Sequence, residues 1–203
     1  MNAKEKMLTI DLEGRGIKSK SVIDAMRSVD RSVFVPDKLK NEAYNDKALP
    51  IGYSQTISQP YIVAYMAEAL NLRGGEKLLE IGTGSGYNAA VLSKLVDRVY
   101  SIETIKELVD LSKENIKKIG LTNIEIQHGD GSKGWSEEAP FDVIELTAAP
   151  SIIPDKLINQ LKIGGKLLAP VGKNNQQLIL IKRLDEDRFE KEKLIMVSFV
   201  PLT

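Results

Sequence analysis

The sequence predicts an α/β fold with a doubly wound, mostly parallel sheet and an antiparallel edge. Three observations predict it. An apolar run, Leu78-Leu79-Glu80-Ile81, leads into Gly82, Gly84 and Gly86 and then into the helix-forming stretch Asn88–Leu95. Strand-like and helix-like segments alternate from residue 76 to 172, the pattern of parallel strands joined by crossover helices. Finally, Gln177–Lys182 and Leu194–Val200 are both strand-like, but the charged segment between them is too short for a typical crossover helix. Those two should pair antiparallel.

Taken in order, residues 1–35 read as helical and polar-faced. Val22, Ile23, Met26 and Val29 recur at helical spacing, and Ser21 with Asp24 is close to a capping box. Residues 37–53 read as irregular, with Pro50 and Gly52 as breakers. A helix is expected to begin at Pro60 and run through Ile62, Val63, Met66, Ala67 and Leu70. Ser58 then lies at or near its N-cap, and a cap is the plain reading of that residue.

Beyond the glycine turn, Arg98–Glu103 is a second strand ending in an acid. A helix carrying Ile105, Leu108, Val109, Ile116 and Ile119 follows, stopped by Gly120. Asn123–His128 alternates as a third strand and Phe141–Thr147 is a fourth. Pro154 should open a helix that Gly164-Gly165 closes, before a fifth strand over Lys166–Gly172.

Composition excludes several chemistries. The chain has 203 residues, no cysteine and one histidine, His128. Thiolate catalysis, disulfides and a multi-histidine metal centre are therefore out, and no metal is expected. Lysine plus arginine and aspartate plus glutamate balance at 28 each, which gives no nucleic-acid footprint. No apolar run reaches membrane-spanning length. The expectation is a soluble, cytoplasmic monomer. His128 reads as structural, since no serine or cysteine nucleophile is paired with it in an identifiable motif.

The glycine turn separates two cofactor classes. A dinucleotide turn needs G-x-G-x-x-G, and the third glycine's place is held here by Tyr87. The turn is instead G-x-G-x-G with Glu80 just ahead, which resembles motif I of S-adenosyl-L-methionine (AdoMet) methyltransferases. That cofactor has no pyrophosphate to cradle but carries an ammonium, so an acid near the turn is sensible chemistry. An ordinary glycine-rich βα turn is the alternative. Glu103 lies about 20 residues on, where this class of fold places the carboxylate that accepts from ribose hydroxyls. In Gly129-Asp130-Gly131, Asp130 could accept from an adenine amine, although the tripeptide alone is only a turn.

The flanking segments narrow the resemblance. Leu49-Pro50-Ile51-Gly52, Gln55-Thr56-Ile57-Ser58-Gln59-Pro60, Leu79–Tyr87, His128–Gly131, Thr147-Ala148-Ala149-Pro150 and Phe199-Val200-Pro201-Leu202 together resemble the protein-L-isoaspartate (D-aspartate) O-methyltransferase family over nearly the whole chain. The resemblance implies a Rossmann-like AdoMet-dependent methyltransferase fold with an N-terminal helical appendage. It implies one domain over 1–203: a substrate-side segment 1–60, a cofactor-binding core 61–172 and antiparallel strands in 173–203. It implies methylation of the α-carboxylate of isoaspartyl residues in damaged proteins and peptides, which starts repair through a succinimide and leaves S-adenosyl-L-homocysteine.

By the same match, Ser58 is the active-site residue. Glu80, Gly82, Thr83, Gly84, Ser85, Glu103, Asp130, Gly131 and Thr147 would hold the cofactor. Thr56, Ile57, Val200 and Pro201 would join Ser58 at the substrate. A carboxylate is already ionised at neutral pH, so the reaction needs no general base. Ser58 is expected to act as a hydrogen-bond donor, helped by free N–H groups at the helix start. Two departures stand out: Ser54 where many members have glycine, and Glu145 in a strand usually wholly apolar. Glu145 would either enter the cofactor pocket or pair with a lysine. The chain stops at Thr203, so tail contacts of longer members are expected to be missing. A methyltransferase of another substrate and a non-catalytic AdoMet-binding module remain as competing readings.

Overall fold

The computed structural model describes residues 1–202; Thr203 lies outside the described residues. Helix α1 (Ala3–Lys6) runs into a π-helical stretch, Met7–Leu12, and a short 3-10 turn before α2 (Lys20–Ser28). This region is more than a polar-faced appendage, because Met7, Leu8, Leu12 and Met26 are fully buried. The N-cap of α2 is Ser19, whose hydroxyl accepts from the Val22 N–H. The capping box expected at Ser21 is therefore two residues too late.

Residues 37–53, irregular by sequence pattern, hold a 3-10 helix and the first strand of a hairpin. Strand β1 (Leu49–Gly52) pairs antiparallel with β2 (Gln55–Ile57). Its two-residue loop is Tyr53-Ser54, both at positive φ, 52° and 57°. That is the backbone of a type I′ hairpin turn, which asparagine or glycine enters more cheaply than tyrosine or serine. Helix α3 (Pro60–Leu70) follows directly.

The main sheet comprises β3 (Lys77–Ile81), β4 (Arg98–Glu103), β5 (Ile124–His128), β6 (Phe141–Leu146), β7 (Leu161–Val171), β8 (Gln176–Arg183) and β9 (Phe189–Val197). Their spatial order is β5-β4-β3-β6-β7-β8-β9. The first five strands are parallel, and β8 and β9 join antiparallel. Helices α4 (Tyr87–Leu92) and α5 (Lys106–Lys118) make the β3–β4 and β4–β5 crossovers, and the short α6 (Asp155–Asn159) precedes β7. The helix expected up to Gly164 stops at Asn159. Gly164 and Gly165 lie instead inside β7, where a register shift against β6 absorbs them.

Residues alternate between two apolar clusters. Leu78, Val99 and Val143 face α2 to α5, while Leu79, Tyr100 and Ile144 face α6 and Trp135. Strand order reverses at β3, since the chain moves outward to β4 and β5 and then returns to β6 on its other side. Such a reversal opens a crevice at the carboxyl ends of the strands.

Candidate active site

The crevice is built by the ends of β3, β4 and β6. Gly82 and Gly84 form its floor on the β3 side, Glu103, Thr104 and Ile105 flank it from β4, and Thr147 closes the β6 end. Gln55 and Thr56 of the hairpin and Val200, Pro201 and Leu202 supply the opposite wall. That last segment is tied down by backbone bonds: the Ala149 N–H donates to the Val200 carbonyl, and the Leu202 N–H to the Ala149 carbonyl. Just upstream, the Gln176 side chain pairs with the Phe199 backbone in both directions, at 2.9 and 2.6 Å.

Two glycines here are required by space. Gly82 has φ +99°, and a Cβ there would come 2.4 Å from Thr147 Oγ1. A Cβ on Gly131 would come 2.4 Å from Ile81 Cγ2. The Thr147 hydroxyl donates to the carbonyls of Ile81 and Gly82, so the turn is pinned to β6.

Glu103 is only 6% exposed. One oxygen accepts from the Gly84 N–H at 2.8 Å and the other from the Ile105 N–H at 3.0 Å. Each carboxylate oxygen has a further lone pair. With isoleucines 81, 102 and 105 around it, this is an acceptor for a vicinal diol between apolar walls. The acceptor and the shape fit a nucleoside. Ile105, the N-cap of α5, is thus a wall residue as well as a contact of the apolar cluster that the helix buries against.

Two further recesses adjoin the crevice. One is bordered by Ser58, Gln59, Ile62, Met196 and Phe199, the other by Ile57, Ser58, Thr83, Ser85 and Asn88. Thr56 and Thr147 line all three. Ser58 therefore sits one residue-layer away from the crevice. It is not the cap of α3: the N-cap is Gln59, and no N-cap side chain bonds there. Pro60 has no N–H, and the Tyr61 N–H is already taken by Asp46 at 2.8 Å. The free N–H groups expected beside Ser58 are thus reduced at their first two positions.

Four predicted cofactor residues, Glu80, Thr83, Ser85 and Asp130, do not line the crevice; Thr83 and Ser85 border the second recess instead. Asp130 caps the turn Gly131–Lys133, accepting from the Ser132 N–H and hydroxyl, and pairs with Lys133. Its neighbour Gly131 lines the crevice. Glu80 is fully buried beneath the turn. It lies in register with Ser101 on β4 and Glu145 on β6. Asn88 at the start of α4 donates to both acids, at 2.8 Å each, while Ser101 donates to Glu80 and exchanges a bond with Thr83. The Thr83 hydroxyl thus turns inward as well. Burial pushes Glu80 up to about 8 and Glu145 up to about 7. Glu145 neither enters the pocket nor meets a lysine; its Oε1 is buried without a partner. Buried and bonded to Asn88 and Ser101, Glu80 does not line the crevice.

Sequence reasoning passed over Thr104, Ile105, Ala148 and Leu202 as wall residues, and Asn88 as a link. Only their adjacency to Glu103, Thr147 and the glycine turn could have signalled them. His128 is exposed, its Nε2 3.1 Å from the Thr104 carbonyl, a surface position outside the crevice. No group of metal ligands occurs among the described residues, and no described helix is long and apolar enough to cross a membrane.

Comparison with known proteins gives concordant results. A family model described as Protein-L-isoaspartate(D-aspartate) O-methyltransferase (PCMT) matches residues 2–203. Protein-L-isoaspartate O-methyltransferase 2 of Pelobacter propionicus is 48% identical over 201 residues, covering 98% of this chain and 89% of that protein. The Vibrio atlanticus protein-L-isoaspartate O-methyltransferase is 50% identical over 198 residues, covering 98% and 94%. A solved beta-aspartate methyltransferase (PCMT) from Plasmodium falciparum, in complex with S-adenosyl-L-homocysteine, superposes with TM-score 0.87. It is 29% identical, covering 100% of this chain and 99% of that one.

Proposed function

The chain belongs to the protein-L-isoaspartate(D-aspartate) O-methyltransferase family, and from that premise we propose how its residues divide the work. The enzyme uses AdoMet to methylate the α-carboxylate of L-isoaspartyl residues in proteins and peptides. AdoMet supplies a methyl group carried on a sulfonium. In-line transfer to a carboxylate already ionised at neutral pH is mainly a problem of alignment, worth up to ~7–11 kcal/mol in favourable cases.

Glu103 takes the ribose hydroxyls, and Gly82, Gly84 and Gly131 let the backbone come close to the nucleoside. Glu80 and Thr83 support the turn from below, without touching the ligand. Ser58 donates a hydrogen bond to one oxygen of the substrate carboxylate and leaves the other free to react. The observation that carries this division is the shared border: Thr56 and Thr147 line both the Glu103 crevice and the Ser58 recesses. A ligand in the first therefore meets one in the second across those two side chains. Ile57, Val200 and Pro201 flank the substrate on either side. Because Asp46 occupies the Tyr61 N–H, the Ser58 hydroxyl carries the contact with little help from the helix end.

The whole chain acts as one catalytic domain, a cytoplasmic monomer whose partners are damaged polypeptides rather than nucleic acid. Its balanced charge supports that reading.

The test is methyl transfer to an isoaspartyl peptide and to its normal aspartyl twin, with wild type and Ser58→Ala. Wild type should methylate the first and almost none of the second, whose carboxylate lies one methylene further out. Ser58→Ala should turn over at least about tenfold more slowly, the loss of one hydrogen bond to a charged group, with unchanged affinity for S-adenosyl-L-homocysteine. Full turnover by Ser58→Ala would return the serine to a structural role.

A further inference from the structure

Ser58 has no fixed neighbour of its own in the helix it precedes, since no side chain of the N-cap residue bonds there. Something else must hold that segment. The geometry points to Asp46 as the positioning residue of the active-site segment, clasping the chain immediately after Ser58; this inference rests on the reading of Ser58 given above.

Asp46 lies fifteen positions before Tyr61, yet its Oδ1 accepts the Tyr61 N–H at 2.8 Å. It does the work that a cap residue would do from the preceding loop. Its Oδ2 accepts from Gln59 Nε2 at 2.7 Å, and the same nitrogen reaches the Asp46 carbonyl at 3.0 Å. Residues 59 and 61 are thus both fixed by one residue, and residue 57 is fixed by its ladder with Leu49. Ser58 is the one position between these restraints. Asp46 also stands at the base of the hairpin, so the loop that carries Thr56, Ile57 and Ser58 is closed at both ends.

Arg15 completes the device. Its Nη1 donates to Asp46 Oδ2, and its guanidinium lies 3.7 Å from the centre of the Tyr61 ring. The Asp46 side chain is only 12% exposed. A lone buried anion here would repel an incoming carboxylate, and Arg15 offsets that charge. The N-terminal region therefore acts on the reaction through Asp46 without touching the substrate.

The experiment compares Asp46→Ala, Asp46→Asn, Ser58→Ala and the double variant Asp46→Ala/Ser58→Ala, on the isoaspartyl peptide. Glu68→Ala is the control. Glu68 ties the same helix to the N-terminal region through the N–H groups of Lys18 and Ser19, away from the crevice. Asp46→Ala should lower kcat about tenfold or more, since small misplacements near a reacting group cost that much. Its affinity for S-adenosyl-L-homocysteine should stay within about twofold of wild type, because none of the residues Asp46 bonds, Arg15, Gln59 and Tyr61, lines the Glu103 crevice and Thr56 stays held in its strand ladder with Pro50. Asp46→Asn keeps an acceptor for the Tyr61 N–H and should recover part of the loss. The double variant should be no slower than Ser58→Ala, because Asp46 acts through Ser58. Glu68→Ala should lower Tm and leave kcat unchanged. If Asp46→Ala lowers Tm alone while Ser58→Ala is slow, or if the two losses multiply in the double variant, the inference is overturned. Full turnover by Ser58→Ala would instead overturn the reading of the serine itself.

Discussion

Two acidic sites at one end of the sheet have opposite fates. Glu103 ends β4 and stands on the crevice wall, with two backbone N–H groups on its carboxylate. Glu80 and Glu145 lie on the adjacent strands β3 and β6, sealed under the glycine turn and sharing one asparagine amide. The difference is a matter of register. Glu80 pairs with Ser101, and Glu103 is two residues further along, about 6–7 Å at the rise of a strand. Both point to the same face. The turn after Ile81 folds over the first, whereas it only touches the second through the Gly84 N–H and leaves it on the crevice wall. One layer of backbone thus decides whether a glutamate is a ligand or part of the scaffold.

The most drastic way to break the contrast is to break the turn. Gly82→Ala would have to hold a left-handed residue, costing about 1–2 kcal/mol, against Thr147, costing about 1–3 kcal/mol more. The expected outcome is a lower Tm together with lost S-adenosyl-L-homocysteine binding by calorimetry. A stable variant that binds normally would show that the turn does not separate the two sites.

The next test removes the acid on the crevice wall. Glu103→Ala should weaken that ligand by about 1.5–3 kcal/mol, the range for hydrogen bonds to a charged group. Tm should fall only modestly, because the N–H groups of Gly84 and Ile105 lie at the crevice, where water can replace the carboxylate. Unchanged affinity would remove Glu103 from the cofactor's contacts.

The gentlest test neutralises the sealed side. Both buried acids titrate above the ordinary carboxylate value of 4.5, Glu80 at about 8 and Glu145 at about 7. Folding therefore retains protons that the unfolded chain releases. The stabilising contribution is complete below the unfolded pKa and is lost as pH rises from there through about 8. Glu145→Gln, which cannot ionise, should match wild type only below the ordinary carboxylate value of 4.5. At alkaline pH it should be more stable by about 1–2 kcal/mol, in the range for a buried polar group relieved of a penalty. Chemical denaturation across that window measures it. Parallel pH profiles of the two proteins would mean that Glu145 does not titrate there.

Legibility in the sequence follows the same line. The turn and Glu103 could be read because glycine spacing and distance along the chain are local facts. The strand–helix alternation gave the parallel sheet for the same reason. The burial of Glu80 depends on which residues of two other strands lie beside it, and no local pattern carries that. Asp46 escaped notice because its partners lie beyond an intervening hairpin. Gly164-Gly165 reads in sequence as a helix stop, and a glycine pair marks an irregular strand equally well. The hairpin at residues 49–57 was hidden by Pro50 and by a loop, Tyr53-Ser54, lacking the usual turn residues.

The wall formed by Val200, Pro201 and Leu202 sets an order of events at the ribosome. The hairpin, the glycine turn, Glu103 and Thr147 are all translated earlier. Until Val200 meets Ala149, the nascent chain presents a trough open on one side. Synthesis, which runs N-terminal first, thus completes the scaffold before the enclosure. Ribosome-stalled chains extending only through β8 should bind S-adenosyl-L-homocysteine far more weakly than released ones, whatever the state of their sheet.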